Sequence, residues 1–435
     1  MKAKNSLGLV FFPAFDWAIS PTHPEREERL LYTQDQIFEE GIQDIAGIEM
    51  FNPMVATDTD IQRVHFCIPD VLSRATESHL VASGGGIRAA LSVMNEEVDS
   101  AFALVRPPGH HAHRVVYGDR GFCVTNNEAV MLERIRAEFG PLRVAIVDTD
   151  AHHGDGTEDI YWNDPETLVI SFHQDGRTLF PGTGSIDDFG GPSAYGYNVN
   201  IPLPPNTGDE GFLHVLNSVV MPILDEYKPD LVINSAGQDN HYSDPITNMN
   251  FSAQGYAKLN HILKPDIAVL EGGYSIEGAL PYINVGIILA MAGLDYSHVK
   301  EPSYNPDLLR QPKDITEYVK QVSAVVLANW KDRNVLWKEE YGGLDTFERP
   351  KQIYYDTDGI LENQVQHFTK CSACSGVNWI VSTSDDGYKV LAITIPSDGC
   401  KACVDKGYSV FNNPPSSYTH LYLQDRVHDE YLGKS

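Results

Sequence analysis

From Leu9 to about Trp337 the chain alternates short, continuously apolar runs with longer helix-like stretches, and this alternation limits its fold more than any other feature. The apolar runs are Leu9–Phe12, Ala101–Val105, Val144–Val147, Thr167–Ser171, Leu231–Asn234 and Ile267–Leu270. Helical patterning falls at Glu27–Gly41, Ala75–Met94, Asn127–Glu138, Gly211–Glu226, Ala253–Leu263, Ile276–Met291 and Ile315–Trp337. Strands apolar on both faces and separated by helices predict an α/β fold of three layers, with a mainly parallel central sheet covered on both sides. Sheets of this kind place their sites at the carboxyl ends of strands. Beyond Trp337 the texture changes. Glu339–Gly343 is polar, and short alternating strands follow at Gln352–Tyr355, Trp379–Thr383 and Tyr388–Ile395. A boundary is therefore expected near residue 340, with a large domain over 1–340 and a small β-rich domain over 341–435.

Composition excludes several classes of function. The net charge is −28 with a pI near 4.8, so no basic surplus exists to replace counterions on a nucleic-acid backbone. The acidity reads first as solubility and secondarily as attraction for a cationic substrate. No apolar run approaches the ~18 residues of a membrane span. Six cysteines, four of them in close pairs, fit a reducing, cytoplasmic setting.

Chemistry-bearing residues cluster just after the apolar runs. In Ile146-Val-Asp-Thr-Asp-Ala-His-His-Gly-Asp-Gly-Thr157, the side chains of Asp148, Asp150 and His152 project to one side of an extended chain. Asp150 and His152 can supply two of the three protein ligands of a catalytic zinc, leaving a position open for water. A polar loop of mutually paired acids and histidines is the plainer alternative, at the expense of burying three acids together. Leu104-Val-Arg-Pro-Pro-Gly-His-His-Ala112 presents His110 and His111 on a stiff turn. Histidines suit proton transfer near neutrality, and each needs a carboxylate to fix its tautomer; Asp148 and Asp155 are not required as ligands. Asp239, in Asn234-Ser-Ala-Gly-Gln-Asp239, can complete the ligand set. In Leu270-Glu-Gly-Gly-Tyr274, the phenol of Tyr274 can donate to a developing oxyanion. Taken singly, the last three segments also read as solvent histidines, a lone acid and a core tyrosine.

Together these segments resemble the arginase/deacetylase superfamily, and within it the zinc-dependent histone deacetylase family, including bacterial histone deacetylase-like amidohydrolases. The matching stretches are His23–Leu30, Arg106–His111, Gly121–Asn127, Asp148–Thr157, Phe180–Gly184, Ser235–Asp239 and Glu271–Tyr274, in the family's order. The resemblance implies an arginase/deacetylase-like fold and catalytic zinc on Asp150, His152 and Asp239. It makes His111, with Asp155, the proton-transferring histidine and His110, with Asp148, its electrostatic neighbour. Phe122 and Phe180, beside Gly121, would line a narrow channel for an aliphatic chain. The resemblance also implies potassium near Asp148, Asp150, His152, Ser171 and Phe172, partly on backbone carbonyls, and a second monovalent site near Tyr161, Asp164, Thr167 and Tyr197. Gln238 and Asn240 depart from the family's usual residues, while the ligand between them is intact.

The implied activity is hydrolysis of an acylated amine, with N-acetyl-lysine in proteins or peptides leading and acetylpolyamines or another acyl amide as the alternative. An arginase-like ureohydrolase with two manganese ions needs a further acid where Gly237 stands, and a non-catalytic acyl-lysine binding module has no need of His111 and Tyr274. The acidic gatekeeper position of one polyamine-selective subgroup is Ile246 here, and Asp70 is a candidate rim acid. No nucleic acid or membrane partner is implied, and a homo-oligomer stays open. Finally, Cys371-Ser-Ala-Cys374 and Cys400-Lys-Ala-Cys403 form a CxxC…CxxC array whose spacing fits a structural zinc of the ribbon or knuckle kind, with two disulfide or redox pairs as the alternative.

Overall fold

The computed structural model describes residues 1–12, 18–20, 22–307 and 309–435. Its centre is an eight-stranded sheet whose neighbouring pairs are all parallel. Across the sheet the order is Ala46–Phe51, Lys2–Phe11, Ser100–Leu104, Ile267–Leu270, Leu231–Ala236, Val144–Asp148, Thr167–Gln174 and Asn198–Leu203. The period of two along each strand divides the interior. Phe102, Leu104, Ala145 and Val147 face one core, and Ala101, Ala103, Val144 and Ile146 face the other. Helices Glu28–Glu39, Ala253–Leu263 and Leu280–Met291 cover the first face. Helices Glu77–Met94 and Asn127–Phe139 cover the second. This is the three-layer α/β arrangement expected from the alternation.

The sheet order positions the site. Ser100–Leu104, Ile267–Leu270, Leu231–Ala236 and Val144–Asp148 are consecutive neighbours, so the four loops leaving their carboxyl ends meet at one edge. The four strands are spread between Ser100 and Leu270 in the sequence, yet only the sheet's pairing is needed to bring them together.

Two local differences from the sequence reading have physical causes. The helix expected over Gly211–Glu226 runs as Asp209–Val215, a π turn at Leu216–Val220, and Met221–Tyr227. Pro222 has no N–H to donate to the preceding turn, which favours a break in the regular ladder there. The strand Asn198–Leu203, unrecognised in the sequence, carries polar asparagines, and Asn198 and Asn200 both donate to Glu158 inside the protein.

After the long helix Lys313–Tyr341, a second sheet of six strands begins. It runs in the order Thr346–Tyr355, Ile360–Thr369, Asn378–Ser384, Lys389–Ile395, His420–Asp425 and Glu430–Lys434. All its pairs are antiparallel except Lys389–Ile395 with His420–Asp425, which the helix Lys401–Asn412 connects. That helix covers one face of the sheet, over Val377, Leu391, Ile393, Ile395 and Leu423. The β-rich character matches expectation, but the second cysteine pair opens a helix rather than a hairpin knuckle.

The other face of the small sheet packs on the large body. Ile353, Tyr355, Ile380, Val390 and Ala392 share a core with Phe66, Ile68, Val115 and Tyr117. Polar contacts surround it: Arg349 pairs with Glu158 at 2.6 Å, Lys351 with Asp159 at 2.9 Å, and the Tyr355 hydroxyl donates to the Val115 carbonyl. Among the described residues no helix is long and apolar enough to cross a membrane.

Candidate active site

The metal-ligating candidates lie together. Ligand atoms of Asp150, His152 and Asp239 fall within 4.8 Å of one another, and all three residues are buried. His152 Nδ1 is 2.8 Å from Asp239 Oδ2 and 3.2 Å from Asp150 Oδ1. Backbone donors aim both acids: the Gly272 N–H donates to Asp150 Oδ2 and the Ala151 N–H to Asp239 Oδ1. A Cβ at Gly272 would stand 2.5 Å from Asp239 Oδ2 and 2.6 Å from Asp150 Oδ2, so the glycine leaves room for the carboxylates to converge. Burial, and then the Asp150 charge, push the Asp239 carboxyl above its ordinary range. Two buried carboxylates and one imidazole in mutual contact are a donor set suited to zinc, whose positive charge offsets that repulsion.

The two histidines beside this cluster have opposite environments. His110 Nδ1 is 3.0 Å from Asp148 Oδ2, and its Nε2 is 3.8 Å from Asp150 Oδ1. Burial opposes its charge, but the carboxylates of Asp150 and Asp148 outweigh that and raise it well above an ordinary histidine. His111 Nδ1 lies 2.8 Å from Asp155 Oδ1. Burial and the neighbouring His110 charge lower His111 well below the ordinary value. Asp155 is itself held as a carboxylate by Arg120 at 2.8 Å and His113 at 3.3 Å, which overcome its own burial. An ionised Asp155 must accept from His111 Nδ1–H, and the Nε2 lone pair is then the free one.

Tyr274 follows the strand Ile267–Leu270, and Gly273 at φ +131° makes the turn that aims it. The Tyr274 N–H donates to Asp244 Oδ2 at 2.8 Å. Burial raises its phenol well above the ordinary value, so it stays an O–H donor. Arg29 braces this segment: its guanidinium lies 4.9 Å over the Tyr274 ring, donates to the Gly273 and Glu271 carbonyls, and pairs with buried Glu25. Glu25 also accepts from Arg106 at 2.7 Å. Glu271 Oε2 accepts from the Gly109 and His110 N–H groups at 2.7 and 3.0 Å, fixing the histidine turn.

A cavity of about 240 Å³ opens onto these groups, walled by Phe122, Phe180, Leu179, Ile246 and Gly121, with His110, His111, Asp150, His152 and Tyr274 at its base. Phe180 sits edge-on to His111 at 5.1 Å, and Phe122 edge-on to Tyr274 at 5.6 Å. Gly121, Phe122, Phe180 and Ile246 all border the cavity. Asp70 does not. The rim position expected for it is corrected: its carboxylate folds back onto the Ser73 N–H and hydroxyl, and it borders a separate cleft against His420 and Tyr422.

Asp148 and Ser171 face each other across adjacent strands, and the Ser171 hydroxyl bonds His173 at 2.8 Å; Phe172 next to it is buried in the sheet core. Near the second monovalent position, the Asp164 and Thr167 side chains are bound by the Arg136 guanidinium at 2.8 and 2.9 Å, and Tyr197 packs against Tyr227.

The four clustered cysteines converge as well. Cys371 and Cys400 sulfurs are 3.8 Å apart, Cys374 and Cys403 sulfurs 3.4 Å, too long for disulfides, and all six cysteines are free thiols. The Ala373 and Gly376 N–H groups donate to Cys371 and Cys374 sulfurs. That tetrahedral-capable thiol set fits zinc.

Residues the sequence reading did not single out include Glu25, Arg29, Arg120, His113, Glu271 as a brace, and Asp356. The first two lie within the His23–Leu30 stretch, so a signal existed without a role. Asp356 comes from the C-terminal sheet and borders the cavity.

A parallel sheet with a carboxylate–imidazole cluster, a braced neutral histidine and a phenol at one strand edge defines a metal-dependent hydrolase. Comparison with known proteins makes this specific. Residues 67–284 match the histone deacetylase domain. The chain is 44% identical over 362 residues to a probable deacetylase of Archaeoglobus fulgidus, covering 74% of this chain and 98% of that protein. It is 30% identical over 361 residues to the acetoin utilization protein AcuC of Bacillus subtilis, covering 74% of this chain and 89% of the relative. A histone deacetylase-like amidohydrolase of Pseudomonas aeruginosa is 33% identical over 241 residues, 53% of this chain and 62% of that one. The solved structure of the HDA15 HD domain superposes with a TM-score of 0.62 at 26% identity, covering 79% of this chain and all of that domain. The chain belongs to the histone deacetylase family. It is a hydrolase of the deacetylase type, and zinc dependence is general in that family.

Proposed function

We propose that this protein hydrolyses the amide of an acylated amine, with N-acetyl-lysine in a protein or peptide as the leading substrate and an acetylpolyamine or another acyl amide as the alternative. The observation that carries this reading is the meeting, at the base of one apolar-walled cavity, of a three-donor cluster, two oppositely polarised histidines and a phenol.

Zinc bound by Asp150, His152 and Asp239 would supply Lewis-acid polarisation and acidify a water. The chain's own residues carry the remaining steps. Phe122 and Phe180 hold the aliphatic stem and keep bulk water from it. His111, with Nδ1–H committed to Asp155, takes the proton of the attacking water at Nε2 and returns it to the departing amine nitrogen. His110, bonded through Nδ1 to Asp148, packs against His111, and any positive charge it carries disfavours a second one there. Tyr274 donates its O–H to the oxyanion as the carbonyl carbon becomes tetrahedral.

A two-metal ureohydrolase is disfavoured by Gly237. A Cβ there would run into the Asp150 side chain, leaving no room for the additional bridging acid. In the same reading residues 1–340 form the catalytic domain and 341–435 an accessory one, the four clustered thiols hold a structural zinc, and the protein works in a reducing, cytoplasmic setting. Potassium beside Asp148, Ser171 and Phe172 is supported by the adjacency of the first two. The test is hydrolysis of acetyl-lysine peptides, acetylpolyamines and longer acyl-lysines by the zinc-loaded protein. Selective turnover of one class supports the reading and names the substrate; silence across the panel with zinc bound contradicts it.

A further inference from the structure

The hairpin turn that joins strands Thr346–Tyr355 and Ile360–Thr369 reaches across to the cavity mouth. Three contacts tie it to the loop 118–122. Asp358 Oδ2 accepts from the Asp119 N–H at 2.7 Å, Thr357 donates to Asp119 Oδ1 at 3.2 Å, and Asp356 Oδ1 accepts from the Gly121 N–H at 2.9 Å. That loop is conformationally unusual: Gly121 has φ +55° and Phe122 φ +69°. A left-handed conformation is disfavoured for phenylalanine and persists where surrounding contacts determine it. The C-terminal turn supplies such contacts, and Phe122 is thereby set edge-on to Tyr274 in the channel wall.

Asp356 does more than hold Gly121. It is exposed, borders the cavity together with Phe122 and Phe180, and has no lysine or arginine within ion-pair distance among the described residues. The nearby imidazole of His23 is pushed down by burial and so is no counter-charge near neutrality. Arg120, also close to Phe180, is committed to Asp155. Buried Asp119 behind the turn is pushed up to about 7, by burial first and by the Asp356 and Asp358 charges after it. The mouth of the channel is thus bordered by a carboxylate without a cationic partner among the described residues.

We infer that Asp356, delivered by the C-terminal sheet, is a specificity-determining residue that binds a positively charged nitrogen of the acylated amine outside the channel. The inference rests on the hydrolase reading above and deepens it, and it gives the C-terminal sheet a part in substrate choice. The chemistry recognised is a second, cationic nitrogen beyond the aliphatic stem. A free amine of a mono-acetylated polyamine and a lysine flanking the acetylated one in a peptide both provide it.

The experiment compares the full-length, zinc-loaded protein with Asp356→Asn and Asp356→Glu. One pair of substrates is a mono-acetylated alkyl diamine and the same chain ending in a hydroxyl. The other is an acetyl-lysine peptide with flanking lysines and the same peptide with flanking serines. An ion pair at a solvent-facing mouth predicts that Asp356→Asn lowers the preference for the cationic member about tenfold in kcat/KM, through KM, with partial recovery in Asp356→Glu and a weaker preference at high salt. Whichever pair shows the change identifies the source of the cation. A merely structural role would lower both members equally; that result, or an unchanged preference in both pairs, overturns the inference. Kd values for alkyl hydroxamates with an ammonium or a neutral tail give a second readout independent of turnover. Should no substrate react, the hydrolase reading fails. The Asp356 inference is then judged on the hydroxamates, and equal weakening of both tails, or none, overturns it.

Discussion

Replacing Asp155 by asparagine isolates the role of His111 with little change in shape. In the native protein Asp155 Oδ1 accepts from His111 Nδ1 at 2.8 Å, and the carboxylate also accepts from Arg120 and His113. An asparagine has one acceptor and one NH₂. Arg120 donates to both oxygens, at 2.8 Å to Oδ2, which His113 shares, and at 3.2 Å to Oδ1; the NH₂ therefore takes the Oδ1 side, where the arginine contact is longer and His111 can switch tautomer to accept. His111 must then accept at Nδ1 and carry its proton on Nε2, where a base is needed. Loss of a positioned general base costs about 10²–10⁴ in rate. At about 1.4 kcal/mol per tenfold, the barrier rises by about 3–5 kcal/mol. The assay is kcat for acetate release by variant and parent at matched zinc content, below the melting temperature of both. Because Arg120 loses a buried carboxylate, thermal unfolding is followed in parallel to separate lost fold from lost chemistry. A folded, zinc-replete variant with kcat within about threefold of the parent would refute the tautomer argument.

Other consequences follow from the same geometry. Tyr274→Phe should lower kcat by about 10²–10³ with metal content unchanged, as expected for removal of one oxyanion donor; near-parental turnover would remove that role. Gly272→Ala places a methyl against both carboxylates, so zinc affinity measured by competition with a chelator should fall at least about tenfold. Cys403→Ser should reduce bound zinc from two equivalents to one and lower the melting temperature, while two retained equivalents would reject a metal on the thiols. Glu362 is buried in the small sheet and pushed up to about 7 from 4.5 by burial. Its folded-state pKa is raised, so the folded protein binds the extra proton, and stability falls as pH rises between about 4.5 and 7, by up to about 3 kcal/mol. Glu362→Gln should flatten that dependence; an unchanged slope of melting temperature against pH would contradict it.

Most of the central sheet was legible because its strands are apolar on both faces and are separated by helix-length segments, so local pattern and tertiary burial agree. The reading failed where buried faces are polar. Ile360–Thr369 turns Glu362, Gln364 and Gln366 inward, reversing the usual alternation, and the helix Asp155–Tyr161 is buried with Glu158 and Asp159 satisfied by residues of the distant C-terminal sheet. The ligand and histidine segments stood out because residue types and strand-end placement pointed the same way. Asp70 was misplaced for the opposite reason: an acid near a turn carries no record of which cleft it faces. Asp356 could not be found from local sequence, since its position depends on how two sheets pack over a shared core.

The account's central claim is that acyl-amide hydrolysis depends on the Asp150, His152 and Asp239 cluster acting with His111. The most direct test follows acetate release from an acetylated amine by the purified full-length protein before chelation, after chelation, and after zinc is restored. The account predicts loss of turnover on chelation and recovery with zinc, and no recovery in Asp239→Asn at zinc concentrations sufficient for the parent. Turnover that survives complete removal of metal, or an Asp239→Asn protein as active as the parent, would contradict it.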